Sequence, residues 1–104
     1  MRWKKLGIVY RPDRSLSWAI SHAMIPTPIH LNQSVIRVFV TFCDKEGIGR
    51  PGYVDVSAND PTMVLAVSKT PLLDVGEPGT FDENGILLCS IIDEGHGNWS
   101  MYYV

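Results

Sequence analysis

The chain has 104 residues and a mass of 11.6 kDa, a length that supports one small domain with a single core. Apolar residues make up 45% of it and charged residues 19%, which is typical of a globular chain and not of a disordered one. The formal net charge is -2 and the sequence pI is about 5.8. This balance offers no basic surface, so we expect neither nucleic acid nor an anionic membrane as a partner.

The N-terminal residues do not have the pattern of a secretory signal. The apolar run at residues 6–10 is too short for a signal sequence, and no segment of the chain reaches membrane-spanning length. We therefore expect a cytoplasmic protein. Cys43 and Cys89 both lie in apolar strand patterns, so in a reducing compartment we expect them to be buried and inert. Two cysteines are also too few for a zinc site of the usual spacing.

The hydrophobic pattern predicts a β protein, because apolar residues recur with period two and helical spacing is nowhere sustained. A first strand is predicted at residues 6–10 and is followed by a serine-rich loop that carries Trp18 and His22. Pro26 and Pro28 remove two ladder donors from the next strand, which confines it to a sheet edge or to a channel lining. With that strand at 25–31, further strands at 35–43, 50–56 and 63–67 complete a four-stranded antiparallel meander.

Two more strands are predicted at residues 86–92 and 98–104, after a glycine-rich loop at 73–85. The last strand ends the pattern with no partner for its outer edge, which predicts a neighbour: another copy of the chain or sequence that has been lost. A meander of this size resembles one propeller blade, and a blade and a half leaves apolar faces uncovered. We therefore expect a homo-oligomer formed by edge-strand pairing.

Four motifs stand in an order and spacing that resemble the opening of five-bladed β-propeller proteins related to glycoside hydrolase family 43 and its neighbours. They are SHAMIPTP at 21–28, GYVDV at 52–56, GEPGTFDENG at 76–85 and MYYV at 101–104. The resemblance implies an all-β partial propeller that forms a single domain over residues 1–104. Blade one would occupy residues 23–68 and half a blade would occupy residues 82–104.

In the resembled glycosidases, acidic residues from separate blades line a central funnel, and hydrolysis needs two cooperating carboxyl groups. The resemblance implies Asp82 as the catalytic carboxylate. We expect His22, Trp18 and Asn84 to contact a carbohydrate ligand, with the Trp18 ring stacking on the C–H face of a pyranose. His22 stands where many of these proteins have an aspartate, and the general acid of a later blade is absent. We therefore expect no hydrolysis by the isolated chain, no cofactor and no metal, and we expect Asp82 and His22 to meet near Trp18.

Each of these residues also has a purely structural interpretation. Asp82 begins a stretch, residues 82–85, with the composition of an ordinary hairpin-type turn. His22 suits a loop histidine that caps a backbone carbonyl, and Trp18 suits a core or interface anchor.

Three functions remain open at this point. The first is a truncated, glycoside-hydrolase-like propeller protein that retains carbohydrate binding and is completed by oligomerisation. The second is a small non-enzymatic β protein that self-associates and has no ligand. The third is a glycosidase whose site is shared between subunits.

Overall fold

A computed structural model describes all 104 residues and contains six β-strands and no α-helix. The strands are β1 (Ser21–His30), β2 (Val35–Cys43), β3 (Gly49–Ser57), β4 (Val64–Val67), β5 (Leu88–Gly95) and β6 (Asn98–Tyr103). The first four form one antiparallel sheet in the order β1-β2-β3-β4, and β5 pairs with β6 in a separate hairpin. The predicted all-β class, meander and C-terminal hairpin are confirmed. None of the chain forms a helix long and apolar enough to cross a membrane.

The strand predicted at residues 6–10 is absent, so that prediction was wrong. Residues 1–12 take part in no backbone hydrogen bond, and Gly7 adopts a φ of 91°. Only the end of the segment is held, where the Tyr10 ring meets the Phe42 ring edge-on at 6.1 Å. A run of β-branched and aromatic residues gives a segment strand propensity, but a strand also needs a ladder partner, which this segment lacks.

The meander follows its sequence signals closely. β2 occupies the predicted residues 35–43, and the Asn32 side chain closes the preceding turn by accepting the amides of Ser34 (2.8 Å) and Val35 (3.0 Å). β1 lies at the edge of the sheet, as Pro26 and Pro28 predict, and its pairing with β2 is interrupted by register shifts. Proline is tolerated there because an edge strand has one unpaired side.

The two faces of the sheet are covered differently. We call one the groove face; on β2 and β3 it carries Val38, Val40, Phe42, Val54 and Val56. We call the other the hairpin face; opposite pairs in the register place Arg37 beside Asp55, Phe39 beside Tyr53 and Thr41 beside Pro51 there. Alternation along each strand sends neighbouring side chains to opposite faces.

The hairpin face is covered by β5 and β6. The Trp99 ring packs edge-on against Phe39 at 5.7 Å, and the Leu88 amide donates to the buried Thr41 hydroxyl at 3.0 Å. That hydrogen bond is the one polar anchor between β5 and the sheet, since Leu88 is fully buried and its amide would otherwise have no partner. The hairpin is therefore docked by an aromatic contact and a buried hydrogen bond.

An ion pair occupies the hairpin face further along β2. Arg37 makes a bidentate contact with Asp55, at 2.8 Å from Nε and 2.9 Å from Nη2, and its guanidinium lies 3.7 Å from the centre of the Tyr53 ring. Asp55 is buried, and the planar fork of arginine satisfies both of its carboxylate oxygens.

Cys43 is buried at the end of β2, and its burial, together with the Asp44 charge, raises the pKa of its thiol. Cys89 is exposed, so the prediction that both cysteines are buried was wrong for this one. The reason is alternation along β5: Leu88 points into the core and the next side chain points away from it.

Candidate functional site

Asp82 lies in the loop between β4 and β5, in a polar setting of hydroxyl groups. Its carboxylate accepts from the Thr80 hydroxyl at 2.9 Å and from the Tyr103 hydroxyl at 3.2 Å. Burial raises the pKa of the Tyr103 phenol, and the hydrogen bond to Asp82 and the Asp82 charge raise it further. Gly76 is required beside them, because a Cβ at that position would overlap the Asp82 carboxylate and the Thr80 hydroxyl.

An exposed aromatic ring stands next to this carboxylate. The Phe81 ring stacks on Tyr103 with the ring centres 5.8 Å apart and the planes 19° apart, yet 81% of Phe81 remains exposed. A solvent-facing ring beside a carboxylate is an arrangement that suits a pyranose, whose C–H face packs on the ring while its hydroxyls donate to the carboxylate.

The turn interpretation of residues 82–85 describes the backbone but not the Asp82 side chain. The Asp82 carbonyl accepts the amides of Gly76 and Gly85, which closes the turn. The Asp82 carboxylate, however, bonds to hydroxyls and caps no amide. Asn84 is exposed and makes no hydrogen bond within the chain.

His22 is exposed at the start of β1, beside the register shift, and has a φ of 64°. Its Nδ1 lies 2.8 Å from the Ser21 hydroxyl, and it caps no backbone carbonyl. Left-handed backbone at a non-glycine residue is uncommon and marks a local irregularity, here the bulge that offsets the β1 pairing.

Trp18 lies on the groove face at the end of the sheet. Its ring meets Phe42 edge-on at 5.5 Å, and its indole N–H donates to the Lys69 carbonyl at 2.9 Å. Gly52 makes this position possible, because a Cβ there would come within 2.6 Å of the indole ring. Trp18 is half-buried, so it anchors the core on one side and presents an aromatic wall on the other.

That wall borders a polar pocket of about 450 Å³. Arg50 lies in it between two carboxylates, with Nη1 2.9 Å from Asp44 and Nε 2.7 Å from Asp74. Only 17% of the Arg50 side chain is exposed, whereas 70% of Asp74 is. The remaining lining includes Ser17, Lys45, Glu46 and Pro71. We call this cavity the Trp18 pocket.

The charges of the pocket are fixed by hydrogen bonds. The bond from Arg50 lowers the pKa of Asp74, helped by the Val75 amide. Burial raises the pKa of Asp44, but the amides of Ile48 and Glu46 together with Arg50 outweigh it, and the net shift is downward. Both carboxylates are therefore ionised at neutral pH. The pocket combines these acceptors and a guanidinium with an aromatic face.

The predicted site residues fall into separate neighbourhoods. Asp82 bonds to Thr80 and Tyr103, His22 to its neighbour in sequence, and Trp18 to the Lys69 carbonyl. No hydrogen bond or aromatic contact joins any two of the three. Their meeting in one pocket stays a prediction. No group of three or more His, Cys, Asp or Glu side chains is arranged to hold a metal ion.

Sequence reasoning missed most of the Trp18 pocket. Arg50, Asp44 and Asp74 come from the start of β3, the turn before it and the loop after β4. Their separation in sequence gives no motif. The one available signal was an arginine near the start of a predicted strand, Arg50, with an acidic residue in the turn before that strand and another in the loop after β4.

Two proteins of Mycobacterium tuberculosis are similar to the chain: uncharacterized protein MT1551 and, from a second strain, uncharacterized protein Rv1502. Each is 30% identical over 95 residues, which cover 91% of this chain and 32% of the relative. The chain therefore spans about a third of the length of the curated relatives it matches. No family model matches the chain. No solved structure matches it either.

Proposed function

We propose that the chain is a carbohydrate-binding β protein of glycoside-hydrolase-like, partial-propeller type that self-associates. The observation that carries the proposal is the Trp18 pocket, where an aromatic wall faces an arginine held between two carboxylates. A sugar needs such a surface, because it presents an apolar C–H face and a ring of hydroxyls that both donate and accept.

The polar groups of the pocket have capacity left for a ligand. Asp74 Oδ1 accepts from Arg50 and from the Val75 amide, while its Oδ2 makes no hydrogen bond. Arg50 uses Nε and Nη1, which leaves the N–H groups of Nη2 free to donate. A vicinal diol matches this pairing of one acceptor and one donor, so we assign the pocket to a neutral saccharide.

Hydrolysis is not part of the proposal. The two carboxylates of the pocket are bound to one guanidinium, and their lowered pKa values remove the proton that a general acid must donate. Asp82 lies in the other neighbourhood, bound to two hydroxyls, and would act there as a contact for a sugar hydroxyl beside Phe81.

The proposal is tested by titrating the chain with a panel of neutral mono- and disaccharides and measuring binding by calorimetry and by tryptophan fluorescence. We expect one or more sugars to bind, and we expect Asp74→Asn to weaken binding roughly tenfold, since a charged acceptor is lost. Asp93→Asn is the matched control, because it makes the same change at an exposed carboxylate on the hairpin. Absence of binding across the panel, or equal effects of the two variants, would contradict the assignment.

A non-enzymatic, self-associating β protein without a ligand is the second candidate. One edge of β6 has no partner strand, and the groove face has an apolar cavity open to solvent. Both features favour association between copies. A protein that associates but binds no sugar would select this candidate over the first.

A further inference from the structure

The N-terminal segment, residues 3–9, has strand propensity that the fold leaves unused. It makes no backbone hydrogen bond, and its apolar side chains face water: Trp3 is 91% exposed, Ile8 68% and Leu6 53%. Native sequences generally agree with their fold at the local level. An apolar segment that pairs with nothing and exposes large side chains to water indicates that its partner lies outside the single chain.

The groove face, in contrast, has an apolar cavity that no segment of the chain fills. Its groove of about 440 Å³ is open and lined by apolar side chains, which include those of Val38, Val40, Val54 and Pro28. Tyr10 and the residue before it, which directly continue the unpaired segment, also line the groove. Groove and segment therefore form one continuous surface that includes both an apolar cavity and apolar side chains of the kind that fill one.

Charge favours the same pairing. Basic residues flank the first aromatic residue of the segment, with Arg2, Lys4 and Lys5 around Trp3. At the groove, Pro61 belongs to the lining, and the exposed residue Asp60 precedes it in the chain. A basic, apolar segment that enters the groove gains from apolar burial and from attraction to the Asp60 carboxylate.

We propose that the groove face binds residues 3–8 of a second copy of this chain, and that the exchange is reciprocal about a twofold axis. One surface of the chain then carries both the apolar groove and the segment that fills it. Such a surface is self-complementary, as an isologous dimer requires. This interface is distinct from pairing at the β6 edge, because it uses the opposite face of the sheet and the other end of the chain. It does not depend on the sugar site.

Sedimentation and light scattering of the full chain over a range of concentrations test the proposal. We expect a dimer whose dissociation constant rises at least tenfold in the double variant Trp3→Ser, Ile8→Ser. The double variant Leu65→Ser, Ile92→Ser is the matched control, because it removes two exposed apolar side chains that do not line the groove. We expect the control to dimerise as the unaltered chain does, and we expect added salt to weaken both.

Cysteine cross-linking locates the contact. In a Cys89→Ser background, an Ile8→Cys chain and a Pro28→Cys chain are mixed and oxidised, and we expect a disulfide-linked heterodimer. Cys43 is buried and does not compete. The segment could also fold back onto the groove of its own chain. An Ile8→Cys, Pro28→Cys double variant that forms its disulfide only within one chain would show this and overturn the proposal.

Three other outcomes also overturn it. One is a chain that stays monomeric at every concentration. Another is a dimer that survives the Trp3 and Ile8 changes but is lost on Tyr102→Pro, which would place the interface at the β6 edge. The last is a monomer whose groove takes up a fluorescent fatty acid, which would make the groove a lipid site.

Discussion

The two faces of the four-stranded sheet differ in composition on β2 and in what covers them: the groove face is apolar throughout, and the hairpin face includes Arg37 and Thr41. The hairpin face is covered by the chain itself, through Trp99 on Phe39 and the Leu88 amide on Thr41. The groove face is covered only at one end, by Tyr10 and Trp18 on Phe42. Alternation therefore predicts that a face is apolar, but not what covers it.

The polar groups differ between the faces as well. On the hairpin face the Asp55 carboxylate is buried, both of its oxygens are bound by Arg37, and the guanidinium stacks on Tyr53, so the pair has a structural role. At the end of the groove face the pair of Arg50 with Asp74 opens onto a pocket. An ion pair with no room beside it stabilises a fold, whereas one that lines a cavity has capacity for a ligand.

The largest effect is expected at the covered end of the groove face. Phe42 is fully buried, and Phe42→Ala removes the ring on which Tyr10 and Trp18 pack. We expect the free energy of unfolding to fall by about 3–5 kcal/mol, measured by urea denaturation. Phe81→Ala, at an exposed ring, should change it by roughly 0.5 kcal/mol or less. Equal losses in the two variants would mean that the groove face has no core at this end.

The second-largest effect on stability is expected at the Arg37–Asp55 ion pair of the hairpin face. Asp55→Ala leaves the Arg37 guanidinium half-buried with only the Tyr53 ring beside it. We expect a loss of about 2 kcal/mol, which lies below the value for a fully buried pair because Arg37 retains some water contact. The double variant Arg37→Met, Asp55→Ala should recover part of the loss in a double-mutant cycle. No recovery would show that the pair does not act as a unit.

The Thr41 hydroxyl is one of the contacts that dock the hairpin on the sheet. Thr41→Val keeps the side-chain shape but leaves the buried Leu88 amide without an acceptor. We expect a loss of about 1–2 kcal/mol and faster hydrogen exchange in β5 and β6 than in β2 and β3. Thr41→Ser retains the acceptor and should protect the hairpin amides as the unaltered chain does. Identical exchange in the two variants would disprove the anchor.

The smallest effect is a pH dependence at the Trp18 pocket. The folded pKa values of Asp44 and Asp74 lie below that of an unfolded aspartate, about 3.9, so their contribution to stability is complete above that pH. It is lost as the pH falls through the folded values. We expect the urea midpoint to fall less steeply between pH 5 and about pH 2.5 in Arg50→Gln than in the unaltered chain. Parallel curves would show that Arg50 does not set these pKa values.

The meander could be predicted because each of its signals is local. Asn32 closes a turn by bonding to its own neighbours, and Pro26 restricts β1 to an edge wherever the sheet lies. The strand at residues 6–10 could not be judged in this way, because strand formation depends on a partner that the local pattern does not contain.

The sequence identified individual residues of the candidate site but not which residues they contact. Trp18 and Asp82 were recognised for their chemistry, but Trp18 faces Arg50 and Asp82 faces Tyr103. These partners come from distant parts of the chain, and which of them meet is decided by how the loop between β4 and β5 folds back on β3. Pairing of Arg50 with Asp74 at the start of that loop is one of the contacts that hold it.

The sequence by itself determined the β class, the order of the strands in the meander, its turns and the edge position of β1, because period-two patterns, proline and asparagine act through the local backbone. The tertiary structure alone decided that the hairpin covers one face, that the N-terminal segment stays unpaired, and that Trp18 and Arg50 line the same pocket. These outcomes depend on packing between segments far apart in the chain, where shape and burial select the contact and local preference has no influence.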